Sequence, residues 1–241
     1  MKKFLSIFSI LVMATVSAQT ELTGTENYIY NSTCLNDDCS RKTESVQYFD
    51  SWGKPIQVID IKGSPTGKDI VGHVEYDHLG RQVKNYLPVP QTGTQNGLLY
   101  TSPLSNAPAV YGSEKIYSEN VLESSPLSKV LQQINVGTQW ASKPINFGYE
   151  ANAAGEVDKF TVSTSWENGA TKSVLTKSGT YPAERLSKST VTDEDGNKTV
   201  QFKNAKGQLI LMRKFNGNEQ VDTYYVYNEY NQLAFVLPPN S

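Results

Sequence analysis

The sequence is that of an all-β protein of consecutive antiparallel hairpins, and two features of its 241 residues carry that expectation. One turn pattern recurs along it: an aromatic or β-branched pair, Asp or Asn, two variable residues, Gly or Asn, then a second strand-like run. Composition agrees, with 14 Tyr, 17 Gly and few long aliphatic runs.

The first 18 residues stand apart from this pattern. Lys2 and Lys3 precede the apolar run FLSIFSILVMATV, and the small residues of VSA lie just before Gln19. That is the layout of a secretory signal peptide cleaved after Ala18. The run is short for a bilayer, no charged stop-transfer pattern follows it, and no Cys follows Ala18. Neither a transmembrane nor a lipoprotein anchor is therefore expected. The remainder, about 220 residues, is expected to fold in the periplasm, at the cell surface or outside the cell, as one all-β domain or two smaller ones. Without Lys2 and Lys3 the 22 basic residues become 20, against 24 acidic, a net charge of −4. So mild a balance argues against a nucleic-acid or anionic-membrane partner.

An N-terminal segment, 19–45, holds both cysteines in TCLNDDCS. In an oxidising compartment Cys34 and Cys39 are expected to close a small disulfide loop, a free dithiol being the alternative. Two cysteines are too few ligands for zinc on their own.

Hairpins follow over 46–87, around Asp50 and Gly53 and then Asp77 and Gly80. Residues 88–112, rich in Pro, Gly, Ser, Thr and Asn, read as a long loop. Over 113–241 the pattern returns at Asn152 and Gly155, Asp193 and Gly196, Asn204 and Gly207, and Asn228 and Asn231. Asp or Asn caps the local backbone with its side chain, and Gly or Asn three residues on tolerates the left-handed conformation that reverses the strand. The flanks alternate: in KTVQFKN, Val200 and Phe202 fall on one face, Gln201 and Lys203 on the other. Tyr48, Tyr76, Phe202 and Tyr227 are expected to pack one layer of a large twisted sheet. Residues 126–134 are ambiguous. Ser125 and Pro126 suit the start of a short helix with Leu127, Val130, Leu131 and Ile134 on one face, or a degenerate turn followed by the strand KVLQQI. The all-β context favours the strand.

Tests for chemistry favour architecture. On a strand His73, Glu75 and Asp77 would share a face, with His78 near, a conceivable metal array. Asp77 is also the turn residue of the repeat, and the equivalent of His73 in the first copy is Val46. The turn reading is preferred. TDEDGNKT places Gly196 fourth after counting from Asp193 and Asn204 twelfth, unlike a calcium-binding EF-hand loop, so Asp-Gly reads as a hairpin. A loose calcium site at Asp193, Glu194 and Asp195 is the alternative. GSPTG lacks the spacing of a hydrolase nucleophile elbow, because Ser64 directly follows Gly63. No catalytic residue, metal or cofactor is expected.

YDHLGRQV, Tyr76–Val83, resembles the repeat of the RHS/YD-repeat family: Tyr-Asp, two variable residues, Gly-Arg and an apolar residue. FDSWGKPI, KNAKGQLI and YNEYNQLA are looser copies. ENYIY, VQYFDSWGKPIQV, YDHLGRQVKNYLPVPQTGTQNG, YGSEKIYSENVLE and TDEDGNKTVQFKN resemble a domain that precedes such repeats in large secreted proteins of some Gram-negative bacteria. The resemblance implies hairpins that coil into a hollow shell around a C-terminal toxin released by an RHS core, as in polymorphic-toxin-like proteins. This sequence reaches AFVLPPNS without that core, its cleavage motif or a toxin, so only the scaffold role is carried over.

The leading expectation is thus a non-catalytic structural module, the front of an RHS-type β-shell, whose partners are further repeats or a second copy joined through β edges. The alternative is an exported or cell-surface binding module that holds a glycan or protein through Trp52, Trp140 and Trp166. Because strand cores consume aromatics first, most of the tyrosines and tryptophans are expected to be buried.

Overall fold

The computed structural model describes residues 22–239, so the expected signal peptide and its cleavage point lie outside the described residues. The fold is almost entirely antiparallel β-structure, arranged as sheets of consecutive hairpins. It divides into two compact units that interleave along the chain. Of the described residues, those from 22 to His73, with Pro88–Asn106, make the first; Val74–Leu87, with those from Ala107 to 239, make the second. The expected all-β fold of consecutive hairpins is present, its strands divided among a five-, a nine- and a two-stranded sheet. The expected 46–87 block is cut at His73, and Tyr48 packs in a different unit from Phe202 and Tyr227.

In the first unit five strands pair in the order β1 (Asn27–Cys34), β2 (Lys42–Phe49), β3 (Pro55–Ile61), β4 (Ile70–His73) and β6 (Val89–Pro90). Alternation builds its core. Val46 and Tyr48 on β2 meet Ile59 on β3 and Val71 on β4, all fully buried. Between Val46 and Tyr48 the chain exposes Gln47 more, as period-two patterning requires. The Tyr48 hydroxyl donates to the carbonyl of Gly97 at 2.8 Å and accepts from the Thr23 amide at 3.1 Å. Gly97 is obligatory there: its φ is 90°, and a Cβ would stand 2.7 Å from Ile61 Cδ1.

Residues 88–112 are not one long loop. Val89–Pro90 pair with β4, and α1 (Ala107–Tyr111) forms with Pro108 in its first turn and Gly112, φ 63°, accepting the left-handed exit. The stretch between is tied to the sheet by side chains.

The second unit holds a nine-stranded sheet. Its order is β16 (Leu233–Leu237), β15 (Glu219–Tyr227), β14 (Leu209–Asn216), β13 (Lys198–Lys203), β12 (Ser187–Thr192), β9 (Ile145–Ala151), β8 (Val130–Ile134), β7 (Tyr117–Leu122) and β5 (Lys84–Tyr86). Val130–Ile134 is a strand, which overturns the helix over 126–134 in favour of the degenerate turn. Ser125 Oγ accepts the Leu127 amide, and Ser128 takes the left-handed position, φ 49°. The two remaining strands, β10 (Asp158–Glu167) and β11 (Ala170–Thr180), form a separate hairpin inserted between β9 and β12. Its two-residue loop is Asn168-Gly169, both at positive φ, as a type I′ turn demands. Val200 and Phe202 pack with Val157, Leu186, Ile210 and Leu211 as the core of this unit.

Phe202→Ala is expected to destabilise the second unit by about 3–5 kcal/mol through the cavity it leaves. Gly97→Ala is expected to cost the first unit more than about 1 kcal/mol. Urea unfolding of each variant against wild type measures both.

Candidate functional site

Five of the six expected turns are built alike. Asp50, Asp77, Asp193, Asn204 and Asn228 each accept the amides two and four residues on through Oδ1, at 2.8–3.0 Å. The backbone of each closes the same ring, its amide reaching the carbonyl four residues on. The third residue after each lies at positive φ: Gly53 76°, Gly80 73°, Gly196 86°, Gly207 78° and Asn231 64°. This is the conformation of the three-residue hairpin loop, bulged at three of the five. The strand registers shift beside it at Phe49, Lys203 and Tyr227, as a bulge requires. Ser64 to Lys68 makes the same loop with a hydroxyl in place of the carboxylate, Lys68 donating to Ser64 Oγ at 2.8 Å and Gly67 at φ 72°. With Ser in place of Asp or Asn, Ser64 is not marked as a turn residue by the repeat pattern.

At Asp77 the turn forms but its flanks do not pair with each other, which corrects the hairpin expected there. β4 before it joins the first sheet; β5 after it pairs with β7. Arg81 holds the turn at that corner. Its guanidinium pairs with Asp77 at 2.8 Å and also donates to the Glu123 carbonyl and Ser128 Oγ, fastening this turn to the degenerate one. The Asp77 carboxyl is held below its ordinary range by the Arg81 amide first, then by the guanidinium.

The sixth turn is different in kind. Gly155 has the expected positive φ, 76°, yet Asn152 is buried and caps no hairpin, since β9 pairs with β12 across the insertion. Its Oδ1 accepts the amides of Arg185 and Leu186, and its Nδ2 donates to the carbonyls of Ala153 and Pro182. Asn152 thus clasps both ends of the inserted hairpin.

Asp69 does the same service in the first unit, and the sequence reading did not single it out. Fully buried, its carboxylate accepts from the Lys62 amide (2.8 Å), the Thr94 hydroxyl (2.7 Å), the Gln95 amide (2.9 Å) and the Tyr100 hydroxyl (2.9 Å). Burial alone would raise its pKa; those four donors outweigh burial and hold it below the ordinary value. Burial, with Asp69 as hydrogen-bond partner, raises Tyr100 in turn. Gln57, inward-facing on β3 where alternation calls for an apolar side chain, exchanges two bonds with the Tyr100 backbone. Such a polar residue at a core position was the available signal.

The candidate metal array is dispersed. His73 ends β4 opposite Gln57, in the first unit. Glu75 accepts Lys84 Nζ and the Tyr86 hydroxyl, both at 2.8 Å, and Tyr86 is pushed up to about 12 by burial and then by Glu75. His78 is exposed. Both Asp193 oxygens are engaged, Oδ2 by the Asn197 amide group, while Glu194 accepts from Asn135 Nδ2 at 2.5 Å. Among the described residues no three His, Cys, Asp or Glu gather as a metal site, and no helix is long and apolar enough to cross a membrane.

Cys34 and Cys39 are bonded to each other, with Cα atoms 4.8 Å apart, and close the loop between β1 and β2. Asn36 Oδ1 accepts the Arg41 amide inside that loop, and Cys39 takes the left-handed position, φ 54°. The tryptophans depart from expectation: Trp52 is 87% exposed and Trp166 73% exposed, with Trp140 half-buried. Trp52 sits at the outward position of its turn, as do the exposed Leu79 and Tyr230 in theirs.

Residues 21–151 match the profile of a domain of unknown function, DUF6443, which spans more than half of the chain. The chain belongs to the DUF6443 family. No curated protein matches it. The DUF6443 region takes in the disulfide loop, the Asp69 clasp and the strands through β9, and it ends one residue before Asn152.

The depressed pKa of Asp69 gives stability that is present above the unfolded value of about 3.9 and is lost as pH falls through the folded value. Asp69→Asn is expected to cost about 3 kcal/mol at neutral pH, because an amide group faces donors. It should also flatten the acid limb of stability against pH. Urea titrations from pH 7 downwards on both proteins check the two effects together.

Proposed function

We propose that the chain is a non-catalytic structural module of an exported protein, the front part of an RHS-type β-shell. The observation that supports it most is the turn. One hydrogen-bonded loop, repeated with Asp or Asn, joins β2 to β3, β12 to β13, β13 to β14 and β15 to β16, and β12 to β16 follow each other in strict neighbour order. The outer edge of β16 has no strand partner among the described residues, and Leu233 and Val236 on it are about half exposed. An unpaired apolar edge is a template for another strand. Its occupant in this reading is a further hairpin of the same type, from downstream repeats or from a second copy.

Light scattering after gel filtration tests this on the protein lacking residues 1–18. The expected result is self-association that Val236→Lys and Leu233→Lys together abolish without lowering the melting temperature, as charges blunt an edge. A wild-type monomer at high concentration, unaltered in stability by an added peptide of residues 198–216, would contradict the proposal.

A further inference from the structure

The inserted β10–β11 hairpin has an inner face that the sheet does not use up. Directly opposed residues share that face: Phe160 with Lys177, Val162 with Leu175, Thr164 with Ser173, and Trp166 with Thr171. At its base Phe160 packs edge-on against Tyr224, with ring centroids 5.1 Å apart, which fixes the hairpin to β15. Towards the tip the face turns from apolar to hydroxyl-bearing and ends in Trp166. A cleft of about 270 Å³ opens there, between the tip and the turn that follows β15.

Two large aromatics stand in this cleft, and both face solvent: Trp166 is 73% exposed and Tyr230 69%. The rest of its lining is hydroxyl and amide, from Thr164, Ser165, Thr171, Asn228 and Gln232, with no charged side chain. Thr164 Oγ1 is buried and has no hydrogen-bond partner among the described residues. An unmet buried hydroxyl costs free energy that a ligand can return. Asn228 and Gln232 bond to each other through Nδ2 and Oε1, which leaves the Gln232 amide hydrogens for a ligand. Asn228 also lines a second cavity of about 140 Å³, with Asp158, Tyr181 and Tyr224 among its other lining residues.

We propose that this cleft binds a neutral oligosaccharide, with Trp166 and Tyr230 presenting apolar faces to sugar rings and Thr164 and Gln232 bonding sugar hydroxyls. Exposed aromatics beside uncharged groups that both donate and accept match a ligand with apolar ring faces and many hydroxyls. An anionic glycan or nucleic acid would find no cation in the lining. The site stands independently of the scaffold role, since it uses the inserted hairpin rather than the open β16 edge.

The test titrates the full exported chain with neutral hexasaccharides (of glucose in α- and β-linkage, mannose, xylose and N-acetylglucosamine) by calorimetry. At least one is expected to bind, with Trp166→Ala and Tyr230→Ala each weakening it about tenfold. Trp52→Ala, at the other exposed tryptophan, should leave binding unchanged. Thr164→Val should weaken binding while keeping or raising the melting temperature of the free protein, which a merely structural threonine would not do. Absence of binding by every hexasaccharide at millimolar concentration, or binding indifferent to Trp166 and Tyr230, would overturn the proposal.

Discussion

A single side-chain oxygen accepting two backbone amides governs this architecture. In each repeated loop three residues must reverse the chain, and their amides point inward with no strand partner. Oδ1 of Asp or Asn takes the amide of the second loop residue and that of the residue after the loop, its carbonyl takes the amide of the third, and the left-handed residue lets the returning strand align. The bulge beside Asn204 sets the register of β14 against β13, so that Leu211 stands opposite Phe202, both fully buried. Slip that register by one residue and Met212 would stand opposite Phe202 in place of Leu211. Local capping is thereby coupled to the hydrophobic pattern that stabilises the sheet.

Where the repeat is interrupted, buried polar side chains take over. Asn152 holds the ends of the inserted hairpin, and Asp69 holds the segment after β6. Each is fully engaged, Asp69 by four donors and Asn152 by both its oxygen and its amide group, which is the condition for a buried polar group to stabilise rather than strain a fold. The most exposed aromatics lie on the insertion and on turns. Trp166 rides on the insertion, and Trp52 and Tyr230 on turn positions that face outward whatever residue occupies them.

What the sequence made legible was short-range. Asp50, Asp193, Asn204 and Asn228 declare their turns because every partner lies within four residues. The Cys34–Cys39 bridge is local for the same reason. The partners of Asp69 at Tyr100 and of Gln57 at the same residue lie 31 and 43 positions away, beyond any local pattern. Asn152 misled because Gly155 completes the motif while the strand it leaves pairs across the insertion. Asp77, in the best-preserved copy, forms its turn, yet the allegiance of its flanks to different sheets is set by β3 and β7, which no reading of the flanks themselves reveals.

The central claim is that the turn clasps, rather than strand propensity alone, hold the hairpins in register. Residue-by-residue amide hydrogen exchange on wild type and on Asn204→Ala addresses it directly. If the clasp governs, protection falls across β13 and β14 together, including the Phe202 and Leu211 amides, while β2 to β4 keep theirs. Loss confined to the amides of Lys206, Gly207 and Gln208, with β13 and β14 as protected as before, would contradict it.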